Sequence, residues 1–326
     1  MSERETAAAA GKNGAKIGTE PRRVEEANAV HNSNSGTPGN AEARPAGRPE
    51  IPTATAAAQV RTTAAADPIL VVDRLTLSVA SGQNLVQDVS FSLGRGDSLG
   101  IVGESGSGKS LTLRAVLGLL PSGVKRTGGE VRHTVRSAMV FQDPRGALDP
   151  LCPVVKQVAE VVRYRQGKNR REARAEALKL LGLLGLPDSL KREDRYPNQL
   201  SGGQCQRIVI ALALACRPDI LLCDEPTTAL DVTVQRQIID LIARLQRELG
   251  FALVFVTHNL AIAAEVCTRI AVMRQGRLVE EGPSVDVLVR PRDPYTQMLV
   301  EAVLPLPEFV SESEDRTRDS GEGGTR

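Results

Sequence analysis

Gly103, Glu104, Ser105, Gly106, Ser107, Gly108, Lys109 and Ser110 stand in the spacing Gly-x-x-x-x-Gly-Lys-Ser. A short apolar run, Leu99–Val102, precedes them, and a helical pattern from Leu111 to Leu120 follows. Strand, glycine-rich loop and helix in that order make a phosphate-binding loop. Glycines at 103, 106 and 108 let the backbone take conformations that a Cβ would forbid. Successive N–H groups then converge on phosphate oxygens, and the N-terminus of the helix opened by Leu111 adds positive potential. Lys109 supplies a point charge to the β- and γ-phosphates, and the Ser110 hydroxyl is a small, hard oxygen ligand suited to Mg²⁺. A glycine turn that binds nothing would require neither residue. The chemistry implied is binding of a nucleoside triphosphate.

A phosphate loop serves several reaction types, so the remaining residues decide between them. Asp224 and Glu225 end the apolar run Ile220–Cys223. An aspartate there is placed to hold Mg²⁺ opposite Ser110. Glu225 beside it is directed elsewhere and suits the role of general base toward an attacking water. A lone Asp-Glu pair is more often a helix cap or a solvated loop; its place after a buried strand reverses that preference. Ser201, Gly202, Gly203 and Gln204 follow Leu200 and open an apolar helix that runs on to Ala215. This builds a second anion cradle, distinct from the first. Two cradles on one chain make sense when each phosphate lies between opposite surfaces of two chains. The competing account is an ordinary serine–glycine turn that caps a helix.

These residues need elements to hold them. Ile69–Val72, the alternation Leu75, Leu77, Val79 and the alternation Val89, Phe91, Leu93 predict strands, and ordered structure begins near Pro68. Pro121 is expected to stop the first helix, and Gly128-Gly129 to form a turn leading to a short strand near Val131. Ala138–Phe141 predicts another strand, ending at Gln142. Two amphipathic helices follow, one with Val154, Val155, Val158, Val161 and Val162 on its apolar face, the other with Ala173, Ala177, Leu180, Leu181 and Leu184. This helical block, about 148–203, interrupts an α/β pattern that then resumes. Ile220–Cys223 and Leu253–Val256 read as buried strands, Val234–Leu249 as a helix closed by Gly250, and 269–279 as a hairpin turning at Gln275-Gly276. A last helix is expected over Thr296–Val303.

The 326 residues, 41% hydrophobic, are enough for a sizeable core. A net charge of +2 is too small to argue for nucleic acid or a membrane surface as the main partner, and 2% aromatic residues leave few platforms for stacking bases. Five cysteines without a C-x-x-C spacing fit a reduced, cytoplasmic interior. No apolar run reaches the ~18–20 residues of a membrane span, and the N-terminus lacks the pattern of a signal peptide. Residues 1–66 and 307–326 are polar and almost free of aromatics, so they are expected to be disordered tails.

Gly103–Ser110, Gln142, Leu200–Gln204, Ile220–Glu225, Thr228–Asp231 and His258 resemble, in order and spacing, the ATP-binding cassette (ABC) ATPases. The resemblance covers about 68–290. It implies an α/β fold: a P-loop NTPase (RecA-like) core with an antiparallel β subdomain and an inserted α-helical subdomain. The ATPase domain would span 67–290, with a C-terminal helical extension over 291–306. The resemblance also implies ATP and Mg²⁺ as cofactors and two cassettes paired head to tail, identical or paralogous, with Asp231 at the seam. Gln142 would relay the γ-phosphate and Mg²⁺ to the helical block, and His258 would contact the γ-phosphate.

Val102–Ser110, Phe141–Pro144, Ala147–Pro150 and Asp293–Thr296 are similar to the peptide/nickel importer branch. That branch implies a cassette peripheral to the cytoplasmic face of the membrane. Two transmembrane permease subunits and an extracytoplasmic substrate-binding protein would be its partners. Leu119–Val124 with the short Thr127–Ser137 segment is similar to nickel- and metallophore-import members, so peptide and metal chelate both stay open. Three features depart from the family pattern. Val79-Ala80-Ser81 lacks an aromatic to stack on adenine, Asn259 replaces the aspartate after the histidine, and no cysteine cluster lies near the C-terminus. The alternative is a soluble ABC ATPase of DNA repair or translation. The first would need a long coiled coil between Gln142 and Ser201, the second a second phosphate loop. A P-loop kinase would leave Ser201–Gln204 without a purpose.

Overall fold

The computed structural model describes residues 67–192 and 194–303; the tails expected over 1–66 and 307–326, and the end of the C-terminal extension, lie outside them. The chain opens with β1 (Leu70–Val79) and β2 (Asn84–Leu93), an antiparallel pair. β3 (Ser98–Val102) is buried at all five positions and feeds the phosphate loop into α1 (Lys109–Val116). Helix α1 ends earlier than expected because Gly118, at φ 68°, takes the left-handed turn before Pro121 is reached.

The second departure is β4 (Val124–His133), where a glycine turn and a short strand were expected. Gly128 and Gly129 lie inside this strand, which pairs along the length of β1. Gly129 (φ 68°) faces the irregularity at Arg74 (φ 46°), and a Cβ on it would come within 2.2 Å of the Arg74 carbonyl oxygen. The glycine pair is therefore a bulge.

β5 (Ser137–Val140) stops one residue short of Phe141. Helices α2 (Val154–Gln166), α3 (Arg170–Leu183) and the single turn α4 (Ser189–Arg192) follow. The first two have 13 and 14 residues, too short for a sustained coiled coil. Then come α5 (Gly202–Ala215), β6 (Ile220–Asp224), α6 (Val232–Leu249), β7 (Ala252–Thr257) and α7 (Leu260–Val266). β8 (Arg269–Arg274) and β9 (Arg277–Pro283) form the hairpin, with Gln275 and Gly276 both at positive φ, as a two-residue primed turn requires. α8 (Ser284–Val289) and α9 (Pro294–Val303) end the described chain. Helices α4, α7 and α8 are too short to show a period in the sequence.

The main sheet has the order β5-β6-β7-β3-β8-β9, parallel except for β9, while β2-β1-β4 form a separate antiparallel sheet. Buried on both faces, β3, β6 and β7 read as unbroken apolar runs. Alternate residues serve opposite layers. Leu221, Cys223, Leu253 and Phe255 face a core shared with α5, α6 and the apolar sides of α2 and α3. Ile220, Leu222, Val254 and Val256 face a second core built with α1 and the antiparallel sheet. The helical block is thus continuous with the sheet through buried side chains.

Candidate functional site

The order β5-β6-β7-β3 makes neighbours of four carboxyl ends that are far apart in the chain. They deliver Gln142, then Asp224 and Glu225, then His258, then the phosphate loop. A cavity of about 440 Å³ opens there. Of the expected residues, Ser105, Gly106, Gly108, Lys109, Ser110, Leu111, Gln142, Glu225 and His258 line it, joined by Leu85 and Thr228.

The loop's shape depends on its glycines. Gly103 has φ 154°, and a Cβ there would sit 2.0 Å from the Met273 carbonyl oxygen. Gly108 (φ 102°) is the N-cap of α1 and offers no side chain to it, so the first N–H groups of the helix remain for a ligand. Lys109 is 4% exposed. Its Nζ donates to the carbonyl oxygens of Gly103 and Glu104, both at 2.8 Å, and lies 3.8 Å from Glu225 Oε1. Burial pulls its pKa down, opposed by the charges of Glu225, Asp224 and Glu104.

Ser110 Oγ donates to Asp224 Oδ1 at 2.7 Å. Asp224 is buried, and burial pushes its carboxyl above the usual range, against the Ser110 hydrogen bond and the Arg114 charge. A hydroxyl and a buried carboxylate at this separation are hard oxygen donors of the kind Mg²⁺ takes. The residues present fit that ion.

Glu225 turns sharply off β6. Its φ is 44°, and its N–H donates to the Val256 carbonyl at 3.0 Å, so the next residue leaves the sheet. A non-glycine residue held at positive φ marks a site whose surroundings fix it. Glu225 Oε2 accepts from Thr228 Oγ1 at 2.8 Å and lies 3.5 Å from His258 Nδ1. The His258 side chain is 61% exposed, which puts it on the rim. Asn259 caps α7, its Oδ1 accepting from the N–H groups of Ala261 and Ile262.

Three residues of the phosphate loop lie away from the cavity lining. Gly103 is buried against Met273, and Ser107 Oγ is buried without a hydrogen-bond partner among the described residues. The Glu104 N–H donates to Tyr295 Oη at 3.1 Å. Nothing local in the sequence signals this contact across 191 positions. Ala80 and Ser81 sit in the turn after β1, and the apolar wall comes from Leu85 of β2 instead.

Ser201, Gly202, Gly203 and Gln204 are apart from this cavity. Ser201 caps α5: its Oγ accepts from the Gln204 N–H at 3.3 Å, and Gln204 Oε1 accepts from the Ser201 N–H at 3.0 Å. A Cβ on Gly203 would meet Val234 Cγ1 at 2.5 Å, so the turn lies close against α6. Asp231 caps α6, its Oδ1 accepting from the Val234 N–H at 3.0 Å. The two expected cradles are therefore separate surfaces of one chain.

Comparison with known proteins agrees with this arrangement. Residues 86–228 match the family model described as ABC transporter. The dipeptide transport ATP-binding protein DppD of Escherichia coli (strain K12) is 41% identical over 266 residues, 76% of this chain and 80% of that one. The glutathione import ATP-binding protein GsiA of Pectobacterium atrosepticum is 45% identical over 241 residues, 67% of this chain; the chain spans only 39% of that relative's length. Among solved structures, CbiO1 from Clostridium perfringens, part of the ABC transporter complex CbiONQ, superposes with a TM-score of 0.61 at 27% identity, over 69% of this chain and 92% of the other. The cassette MJ0796, a dimer in a post-hydrolysis state bound to ADP and Pi, gives 0.58 at 30% identity, over 66% and 98%. With the phosphate loop, the strand-end carboxylates and the Ser201 turn in one fold, and this likeness spanning most of DppD, the chain belongs to the ABC transporter family.

Proposed function

We propose that this chain hydrolyses ATP to drive the import of peptides through a membrane permease. The observation that carries the reading is the convergence of Lys109, Glu225 and the Ser110–Asp224 pair at adjoining strand ends. The substrate class rests on the relatives, named for dipeptides and for glutathione, itself a tripeptide. They favour peptide over the nickel or metallophore reading.

The geometry supports the following roles. Lys109 Nζ exchanges its two carbonyl partners for the β- and γ-phosphate oxygens, which offer charge as well as hydrogen bonds. The open N–H groups of α1, with Ser105, Gly106, Gly108 and Leu111 beside them, cradle the phosphates. Ser110, Asp224 and Gln142 would hold Mg²⁺, which neutralises charge on the phosphates when bound. Glu225 accepts a proton from the water that attacks the γ-phosphorus, while His258 orients the γ-phosphate from the rim. The Ser201–Gln204 turn and Asp231 act on the ATP of a second cassette, identical or paralogous. The ATPase domain spans 67–290, with 148–203 as its helical lobe, and two permease subunits are the membrane partners. A substrate-binding protein supplies the far side of the membrane. Among the described residues no helix is long and apolar enough to cross a membrane, and the proposed place of the chain is at the cytoplasmic face, held by the permease.

The test is reconstitution in vesicles with two permease subunits and a binding protein of the peptide importer type. ATP hydrolysis coupled to uptake of labelled dipeptide is expected. Hydrolysis coupled only to a nickel chelate would overturn the substrate class, and hydrolysis that never couples to uptake in the assembled transporter would overturn the transport role.

A further inference from the structure

Tyr295 joins the C-terminal segment to the phosphate loop. It is 2% exposed, and its hydroxyl accepts the Glu104 N–H at 3.1 Å. The ring is fixed on several sides. The Arg274 guanidinium lies 4.7 Å from its centroid, at cation–π distance. The Tyr295 N–H donates to Asp293 Oδ1 at 2.8 Å, and the N–H groups of Asp293 and Arg292 each donate to the Glu280 carboxylate at 3.0 Å. A line of hydrogen bonds thus runs from β9 through the start of α9 to the loop.

Glu104 is gripped at both ends of its backbone. Its carbonyl accepts from Lys109 Nζ at 2.8 Å and from the Ser107 N–H at 3.2 Å, while its N–H goes to Tyr295. Arrival of a triphosphate draws Lys109 away from that carbonyl. Neither Glu104 nor Tyr295 lines the cavity, so this bond has no such competitor. Three glycines make this loop costly to order, so a peptide already fixed lowers the cost of binding.

We propose that Tyr295 is a positioning residue of the phosphate loop: its hydroxyl holds the Glu104 peptide so that the N–H groups that follow are aimed before ATP arrives. This rests on the ATP reading of the loop given above. The hold is the same with ground state and transition state bound, so it acts on affinity and leaves the chemical step alone.

Tyr295→Phe removes the hydroxyl oxygen and keeps the ring over Arg274. In the assembled transporter the variant should raise the Kd and KM for ATP roughly two- to tenfold, the worth of one neutral hydrogen bond, with kcat near the wild-type value. Hydrogen exchange at the Glu104 amide should quicken while the amides of β7 stay protected. Unchanged Kd and unchanged exchange at Glu104 would overturn the proposal, as would a fall in kcat at constant KM, or a lower Tm with unaltered ATP affinity. A wild-type chain that binds no ATP would overturn the functional reading together with this one, whereas a binding-competent wild type with an identical variant sinks this inference alone.

Discussion

Two helices of this chain start at glycine-rich turns, and they treat their unpaired N–H groups in opposite ways. Helix α1 begins at Gly108, which has no side chain, with a 4% exposed lysine as its first residue. Helix α5 begins at Ser201, whose hydroxyl and whose partner Gln204 close a reciprocal capping box on an exposed turn. The first start leaves its donors open beside a cavity and surrounds them with fixed charges. The second pairs two of its donors, the Ser201 and Gln204 N–H groups, within its own chain and gives nothing to that cavity. On the function proposed above the two turns do separate work: α1 receives an anion in its own cavity, and α5 meets one brought by a second chain.

The strongest test of the first region is Glu225→Gln, which keeps size and removes a charge. Hydrolysis should fall roughly 10²–10⁴-fold, the usual worth of a general base, while ATP affinity holds or rises and an ATP-loaded pair accumulates. Wild-type turnover with ATP shown at this site would remove Glu225 from the chemistry. Lys109→Ala should weaken equilibrium binding of ATP with Mg²⁺ by about 10–100-fold, since hydrogen bonds to a charged group contribute ~1.5–3 kcal/mol. Unaltered affinity would mean that the cavity is not the phosphate site. On the second region, Ser201→Arg should leave ATP affinity of the single chain at the wild-type level and abolish ATP-driven pairing, read by sedimentation. A variant that pairs and hydrolyses normally would erase the contrast between the two turns. The smallest effect is also the sharpest. Ser201→Ala should lower the stability of the nucleotide-free chain by ~1 kcal/mol through loss of the cap, measured by thermal unfolding. No side-chain cap exists at α1 for an equivalent loss.

Much of the site was legible because its parts are local. The Gly103–Ser110 spacing, the apolar run ending at Asp224 and the Ser201–Gln204 turn each occupy fewer than about a dozen residues, the range over which periodicity and capping act. The errors were local as well, where two signals competed. Gly118 ended α1 ahead of Pro121, and Gly128-Gly129, a turn by composition, became a bulge because β1 offered a partner along its length.

By itself the sequence determined which segments are strands buried on both faces, where the phosphate loop lies and which residue types it presents. Only the tertiary structure decided that Gln142, Glu225 and His258 meet across one cavity, and that Tyr295 reaches Glu104. Apolar runs state that a strand is buried, yet any of β3, β6 and β7 satisfies that condition equally, so their order carries no mark in the residues themselves. The order comes from packing. The helices that cross between parallel strands must cover both faces of the sheet, and that arrangement brings the β5, β6, β7 and β3 ends side by side.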